Sequence, residues 1–192
     1  MQHTQNYTYW GELVAGMRAE AGRRDRHMLL IDNGERFHQW EKMDGALITD
    51  VYERSYGLPP LPRPPKGLPY IALLNPQPGA VSVTIDDFQG LYMLTRHLIE
   101  LGHKRIAYIA AFDEGWNLIR QRQQGYLAAL KDAGIESEER LMRHLFMGDL
   151  HLHGEQFEEI GQHHMERWFK QDFEKCGCTA IIAQNDATAL GM

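Results

Sequence analysis

VSVTIDDFQGLYMLTRHLIELGHKRIAYIAA, from Val81 to Ala111, decides the fold class. Val81, Val83 and Ile85 alternate with small polar residues, the period of a half-buried strand. Asp86 and Asp87 follow, and either carboxylate can cap a helix that begins there. Leu91, Leu94, Leu98 and Leu101 then recur at three- and four-residue steps, which puts them on one helical face. Gly102 supplies a left-handed stop, and Ile106, Tyr108 and Ile109 open a second apolar strand. The pattern predicts a β-α-β unit whose two strands lie parallel.

Working outward, residues 8–24 read as a helix with Trp10, Leu13, Val14 and Met17 on its apolar face. Residues 27–32 read as a strand, 33–42 as a short helix and 46–50 as another strand. Five prolines between 59 and 65 forbid regular helix or central strand, so 52–69 reads as a surface loop with polyproline character. Residues 70–75 read as a strand and 76–79 as a turn. On the other side, a helix over 117–133 has Tyr126, Leu127 and Leu130 on its apolar side and stops at Gly134. A weaker strand covers 141–147, and a polar helix over 154–175 is expected to bury Phe157, Ile160, Met165 and Phe169. Residues 179–184 form a buried strand, and Asn185-Asp186 opens a last helix. This alternation predicts an α/β fold with mainly parallel sheets. The change of lobe is expected near 110–116, dividing the chain into 1–112 and 113–192.

At 192 residues the chain can bury a substantial core, and 43% hydrophobic with 24% charged residues fits a soluble globular protein. No apolar run approaches the roughly 20 residues that cross a bilayer. The N-terminus lacks a basic start followed by an apolar stretch, so the cytoplasm is expected, provided the chain begins where its gene begins. Cys176 and Cys178 are too close for the usual zinc spacings and awkward for a disulfide; two reduced thiols are expected. A net charge of −6 makes a poor ligand for phosphate backbones. The basic run Arg23-Arg24-Asp25-Arg26 reads as a solvated helix end rather than a DNA contact. No helix-turn-helix pattern is present, so any DNA-reading part is expected outside this chain.

Several short motifs now come into register. Asp86, Gly90, His97-Leu98 and Gly102-His103, followed by Arg105 to Ile109, resemble the effector-binding core of the LacI/GalR family of bacterial repressors, which is itself similar to periplasmic sugar-binding proteins. Tyr9 to Leu13 resembles the start of that family's first effector-domain helix, and Asp44-Gly45 its "DG" strand. Gly67-Leu68-Pro69, Arg122 to Tyr126 (Arg-x-x-Gly-Tyr) and Asn185 to Gly191 (Asn-Asp-x-x-Ala-x-Gly) follow in family order. The family usually opens with an apolar strand, absent here, and Tyr7-Thr8 replaces the usual Asn-Pro pair. The resemblance therefore implies a two-lobed periplasmic-binding-protein-like domain, incomplete at both ends, with the second lobe truncated. A lobe cut in this way would expose a strand edge and apolar surface.

A sugar site needs bidentate polar side chains and an aromatic platform at the carboxyl ends of strands. Asp86 and Gln89 follow the strand 81–85, and Asn185 and Asp186 follow the strand 179–184. Arg122 has a fork that could hold two hydroxyls or a carboxylate. Tyr9, Trp10 and Trp116 are candidate stacking surfaces. The alternatives are plain. Asp86 and Asp186 could serve only as helix caps, Arg122 as half of an exposed ion pair, and Trp10 as core. The resemblance favours ligand contact for Arg122 and Asn185. His151, His153, His163 and His164 lack the company of a zinc motif, and no metal or other cofactor is expected. G-x-S-x-G, G-x-x-x-x-G-K-[ST] and G-x-G-x-x-G are all absent, so no enzyme activity is expected. The resemblance implies a regulator that binds a small sugar-like effector, touches DNA only through another domain, makes no membrane contact and forms a homodimer. The alternative is the sugar-binding protein of a transporter.

Overall fold

The computed structural model describes residues 8–31, 39–48, 64–74, 76–77, 79–111, 117–145 and 157–192, and its six strands divide between two three-stranded parallel sheets. The first sheet holds β1 (Ala46–Ile48), β2 (Tyr70–Leu73) and β3 (Val81–Val83) in that order. The second has β4 (Ile106–Ala111) at its centre, flanked by β5 (Met142–Leu145) and β6 (Ala180–Ala183). The helices are α1 (Thr8–Arg23), α2 (Asp87–Glu100), α3 (Asn117–Asp132), α4 (Phe157–Gln171), the short α5 (Phe173–Cys176) and α6 (Asp186–Leu190).

The apolar run in β4 explains its central position. A strand covered on both faces has no need of polar residues, and Ile106 to Ala110 are all buried. Its side chains alternate between two helix layers. Ala107 and Ile109 pack with Leu141, Ile160, Met165 and Trp168. Ile106, Tyr108 and Ala110 pack with Tyr126, Leu130 and Ile182. Tyr126 sits in the second layer and donates its hydroxyl to the Ile106 carbonyl at 2.8 Å. On the other side, Trp168 meets Phe173 edge-on at 4.9 Å and lies under the Arg143 guanidinium.

Two helix contacts are close enough to demand glycine. A Cβ on Gly125 of α3 would lie 2.2 Å from the Phe88 carbonyl oxygen of α2. One on Gly161 of α4 would lie 2.2 Å from the Thr188 carbonyl oxygen of α6. Gly134 ends α3 with φ of 68°, as a left-handed stop requires.

Five expectations need correction. The stretch 81–111 is not a β-α-β unit within one sheet, because β3 belongs to the first sheet and β4 to the second. The chain passes between sheets just before α2, not near 110–116, because α2 lays Leu91, Leu98 and Ile99 on the second sheet's core. The inward face of α2 is thus Leu91, Thr95, Leu98 and Ile99; Leu94 and Leu101 are exposed, since the crowded α3 contact turns the helix away from the all-leucine stripe. Residues 27–31 make no strand, and Leu29 and Leu30 are exposed. The helix expected over 154–175 is broken at Asp172, and Trp168 takes the buried place while Phe169 stays exposed beside Phe173. The polyproline loop falls mostly outside the described residues. Cys176 and Cys178 are free thiols. The basic run at the end of α1 is solvated: Arg23 and Arg24 pair with Glu20, and Arg26 with Asp44.

Candidate functional site

The candidate site collects where α2 starts, where β6 ends and where the first half of α3 passes between them. Asp86 and Asp87 are neighbours in sequence with different roles. Asp86 is the N-cap of α2, and its Oδ1 accepts the Gln89 backbone N–H at 2.9 Å. Asp87 is already inside the helix, and its Oδ1 accepts the Arg122 Nε–H at 2.7 Å. The Arg122 Nη1 donates to the Gln184 carbonyl at the end of β6, at 2.6 Å. One guanidinium therefore joins three chain segments. Both charged groups are partly sheltered, with 23% of the Arg122 side chain and 11% of the Asp87 side chain exposed. The arginine's Nη2 takes no partner among the described residues.

The β6 end is built in the same way. Asn185 has an extended backbone and caps α6, its Oδ1 accepting the Thr188 N–H at 2.7 Å. Thr188 is fully buried, and Gln184 is nearly so. Asp186 is exposed, and its Oδ1 accepts the Ala187 N–H at 2.9 Å. Under the Arg122–Asp87 pair, Tyr108 stacks on Tyr126 with ring centroids 5.3 Å apart. The Tyr108 hydroxyl is buried without a hydrogen-bond partner among the described residues. Burial pushes its pKa up to about 12; the Arg122 charge pulls the other way and the Asp87 charge adds to the rise.

Of the eight expected site residues, five have described side chains: Asp86, Gln89, Arg122, Asn185 and Asp186. All five belong to elements on the second sheet's side. Asp86 and Asn185 do act as caps, which uses one of the two carboxylate oxygens of Asp86 and the single side-chain oxygen of Asn185. Gln89 is exposed. Tyr9 and Trp10 lie in α1 with side chains outside the described residues, as does all of Trp116. The alternative of an exposed ion pair for Arg122 does not hold, because both partners are mostly buried. Sequence reasoning missed Asp87 as the partner of Arg122, and Tyr108 beneath them. The signal available was the Asp-Asp pair itself: one helix start needs only one cap, which leaves the second carboxylate to be accounted for.

A polar site at the carboxyl ends of parallel strands is the usual address for a small ligand in an α/β fold. No helix among the described residues is long and apolar enough to cross a membrane, and no group of three metal-ligating side chains occurs among them.

Comparison with known proteins agrees with the fold. A family model described as periplasmic binding proteins and sugar binding domain of LacI family matches residues 2–192. Over 177 residues the chain is 27% identical to the HTH-type transcriptional regulator GalR of Escherichia coli strain K12, covering 86% of this chain and 47% of that protein. The chain thus spans about half the length of that relative. Two solved structures share the fold. One is a LacI family transcriptional regulator from Enterococcus faecium with bound ribose (TM-score 0.67, 20% identity, 95% of this chain and 64% of that one). The other is a LacI family sugar-binding transcriptional regulator from Escherichia coli complexed with phosphate (TM-score 0.68, 20% identity, 95% and 65%).

Proposed function

The chain belongs to the family of periplasmic binding proteins and LacI-family sugar-binding domains, and from that premise we propose that it is the ligand-sensing part of a bacterial transcriptional regulator. A small sugar-like effector binds at the strand ends around Arg122, with Asn185, Asp186, Asp86 and Gln89 as further polar contacts. Tyr9, Trp10 and Trp116 supply apolar surface for the sugar ring. The regulator works in the cytoplasm as a homodimer, and DNA is contacted by a segment outside this sequence. The protein senses its ligand without transforming it. Similarity to a transcriptional regulator over 86% of the chain supports this over a transporter's binding protein.

One observation carries the reading. A mostly buried guanidinium is fixed at the carboxyl end of β6, and its Nη2 has no partner among the described residues. A pre-oriented donor of this kind suits a sugar hydroxyl, because little side-chain entropy remains to be lost on binding. The test is titration calorimetry of this chain against a panel of neutral mono- and disaccharides. The expected result is saturable binding of at least one sugar, reduced at least about 100-fold by Arg122→Ala, as for loss of a charge-assisted hydrogen bond that also leaves the Asp87 charge without its partner. Circular dichroism checks that the variant is folded. Unchanged affinity in the folded variant refutes the assignment.

A further inference from the structure

We infer that the site selects neutral ligands and rejects anionic ones, and that Asp87 is the positioning residue that imposes this choice. The inference rests on the reading of Arg122 as a ligand contact. The question is a real one, because structures sharing this fold contain either ribose or phosphate.

An unpaired arginine at a strand end would attract a phosphate or carboxylate. Arg122 is not unpaired. Asp87 holds its Nε at 2.7 Å, and the Gln184 carbonyl holds Nη1 at 2.6 Å. With 11% of its side chain exposed, Asp87 is poorly screened by water, so its charge acts on anything that approaches the guanidinium. Two further carboxylates stand at the same strand and helix ends. Asp86 precedes Asp87 in sequence, and Asp186 follows Gln184 by two residues. Both are exposed, and each uses one oxygen to accept a backbone N–H at its own helix start. Three carboxylates against one guanidinium leave this group of residues at −2. The nearest other cation in sequence, Arg120, is exposed on α3 and already engaged in an interaction of its own.

What remains for a ligand is hydrogen bonding without charge compensation. Nη2 donates to a hydroxyl oxygen. Carboxylate oxygens of Asp86 and Asp186 accept from hydroxyls, which a sugar provides and a phosphate ester's charged end does not. The buried Tyr108 hydroxyl has no partner among the described residues, so this interior already carries one unsatisfied polar group, and an added unbalanced charge there would be costly. The same argument explains why Asp87 is mostly buried while Asp86 is not: a carboxylate that tunes the guanidinium must touch it, whereas a helix cap can remain in water.

The experiment compares matched pairs on this chain: D-ribose against D-ribose 5-phosphate, D-galactose against D-galactose 6-phosphate and D-galacturonate, and inorganic phosphate alone. Calorimetry is run at two salt concentrations. The expected result is a neutral sugar that binds at least about tenfold tighter than its anionic partner, with no saturable phosphate binding, as like-charge repulsion in a sheltered site requires. Asp87→Asn removes the charge and keeps the shape. It is expected to shrink that preference by about tenfold or more and to give the anionic partners a salt-dependent affinity. A purely structural role for Asp87 would weaken both members of a pair equally and leave their ratio unchanged. If the wild type binds a phosphate or carboxylate tighter than the neutral sugar, and Arg122→Ala abolishes that binding, the inference is overturned while the sensor reading survives. If Asp87→Asn does not fold, the wild-type comparison alone decides the charge preference. If no member of any pair binds, the sensor reading fails and the inference fails with it.

Discussion

Gly125→Ala turns the sign of a stability change into a test of the α2–α3 contact. In an exposed helix interior this substitution stabilises by about 1 kcal/mol, because alanine loses less backbone entropy than glycine. At Gly125 the new methyl would stand 2.2 Å from the Phe88 carbonyl oxygen and 3.0 Å from the Tyr92 nitrogen. Both are backbone atoms of a helix, so neither can swing aside. Restoring an ordinary contact separates the helices by roughly 1 Å. The Arg122–Asp87 hydrogen bond, now 2.7 Å, then stretches beyond useful range. Overpacking of this kind costs about 1–3 kcal/mol. The weakened, partly exposed ion pair adds about 1 kcal/mol after allowance for solvent screening. Against the gain in helix propensity, the net loss is about 1–3 kcal/mol. Urea denaturation followed by circular dichroism and tryptophan fluorescence measures it, and an unchanged slope would show that the unfolded state is the same. A variant as stable as the wild type, or more so, would refute the close approach and with it the explanation of why glycine stands three residues after the site arginine.

Two further outcomes follow from the other face of the second sheet. Trp168, 1% exposed, fills the centre of its layer, and Trp168→Ala is expected to cost about 3–5 kcal/mol in the same denaturation assay. A loss below about 1 kcal/mol would mean that the layer is not packed as described. His164 on α4 has its pKa lowered, first by burial and then by the charges of Arg143 and Arg167. Its unfolded value is about 6.5, so its contribution to stability is complete above that pH and is lost progressively as pH falls toward the lower folded value. His164→Gln should flatten the fall of the urea midpoint between pH 7 and pH 5; an equally steep fall in the variant would remove His164 from the account.

Local pattern and global placement were legible to different degrees, for a physical reason. The central strand could be read because a run buried on both faces has no polar positions, and Ile106 to Ala110 has none except the Tyr108 hydroxyl. The helix ends could be read because Asp86, Asn185 and Gly134 each satisfy a backbone requirement that few residues can meet. Periodicity, however, is a property of one element and does not say which sheet covers it. For that reason the passage between sheets before α2 was misplaced, and Leu94 was put on the wrong face. Residues 27–31 were apolar enough for a strand, but apolar character without a partner strand does not make one. The site was half legible. Arg122 and Asn185 stood out by motif, while the division of labour between Asp86 and Asp87 depended on a helix 35 residues further along the chain.

The placement of the site also limits how it could act as a switch. The described candidate side chains all ride on the second sheet's elements, and the passage from the first sheet lies immediately before Asp86. On the proposed reading, ligand contacts from Arg122 and Asn185 stay with these elements and are common to both lobe arrangements, and contacts common to both states shift no equilibrium. Moving a population from about 1:99 to 99:1 takes roughly 5.5 kcal/mol of differential affinity. On the proposed reading, that difference has to come from groups outside the second sheet's elements, for which Tyr9 and Trp10 are the sequence's candidates. The proposed reading thus gives affinity and switching to different residues. Arg122→Ala should remove binding altogether, whereas Trp10→Ala should leave substantial binding and reduce the ligand's power to choose between lobe orientations.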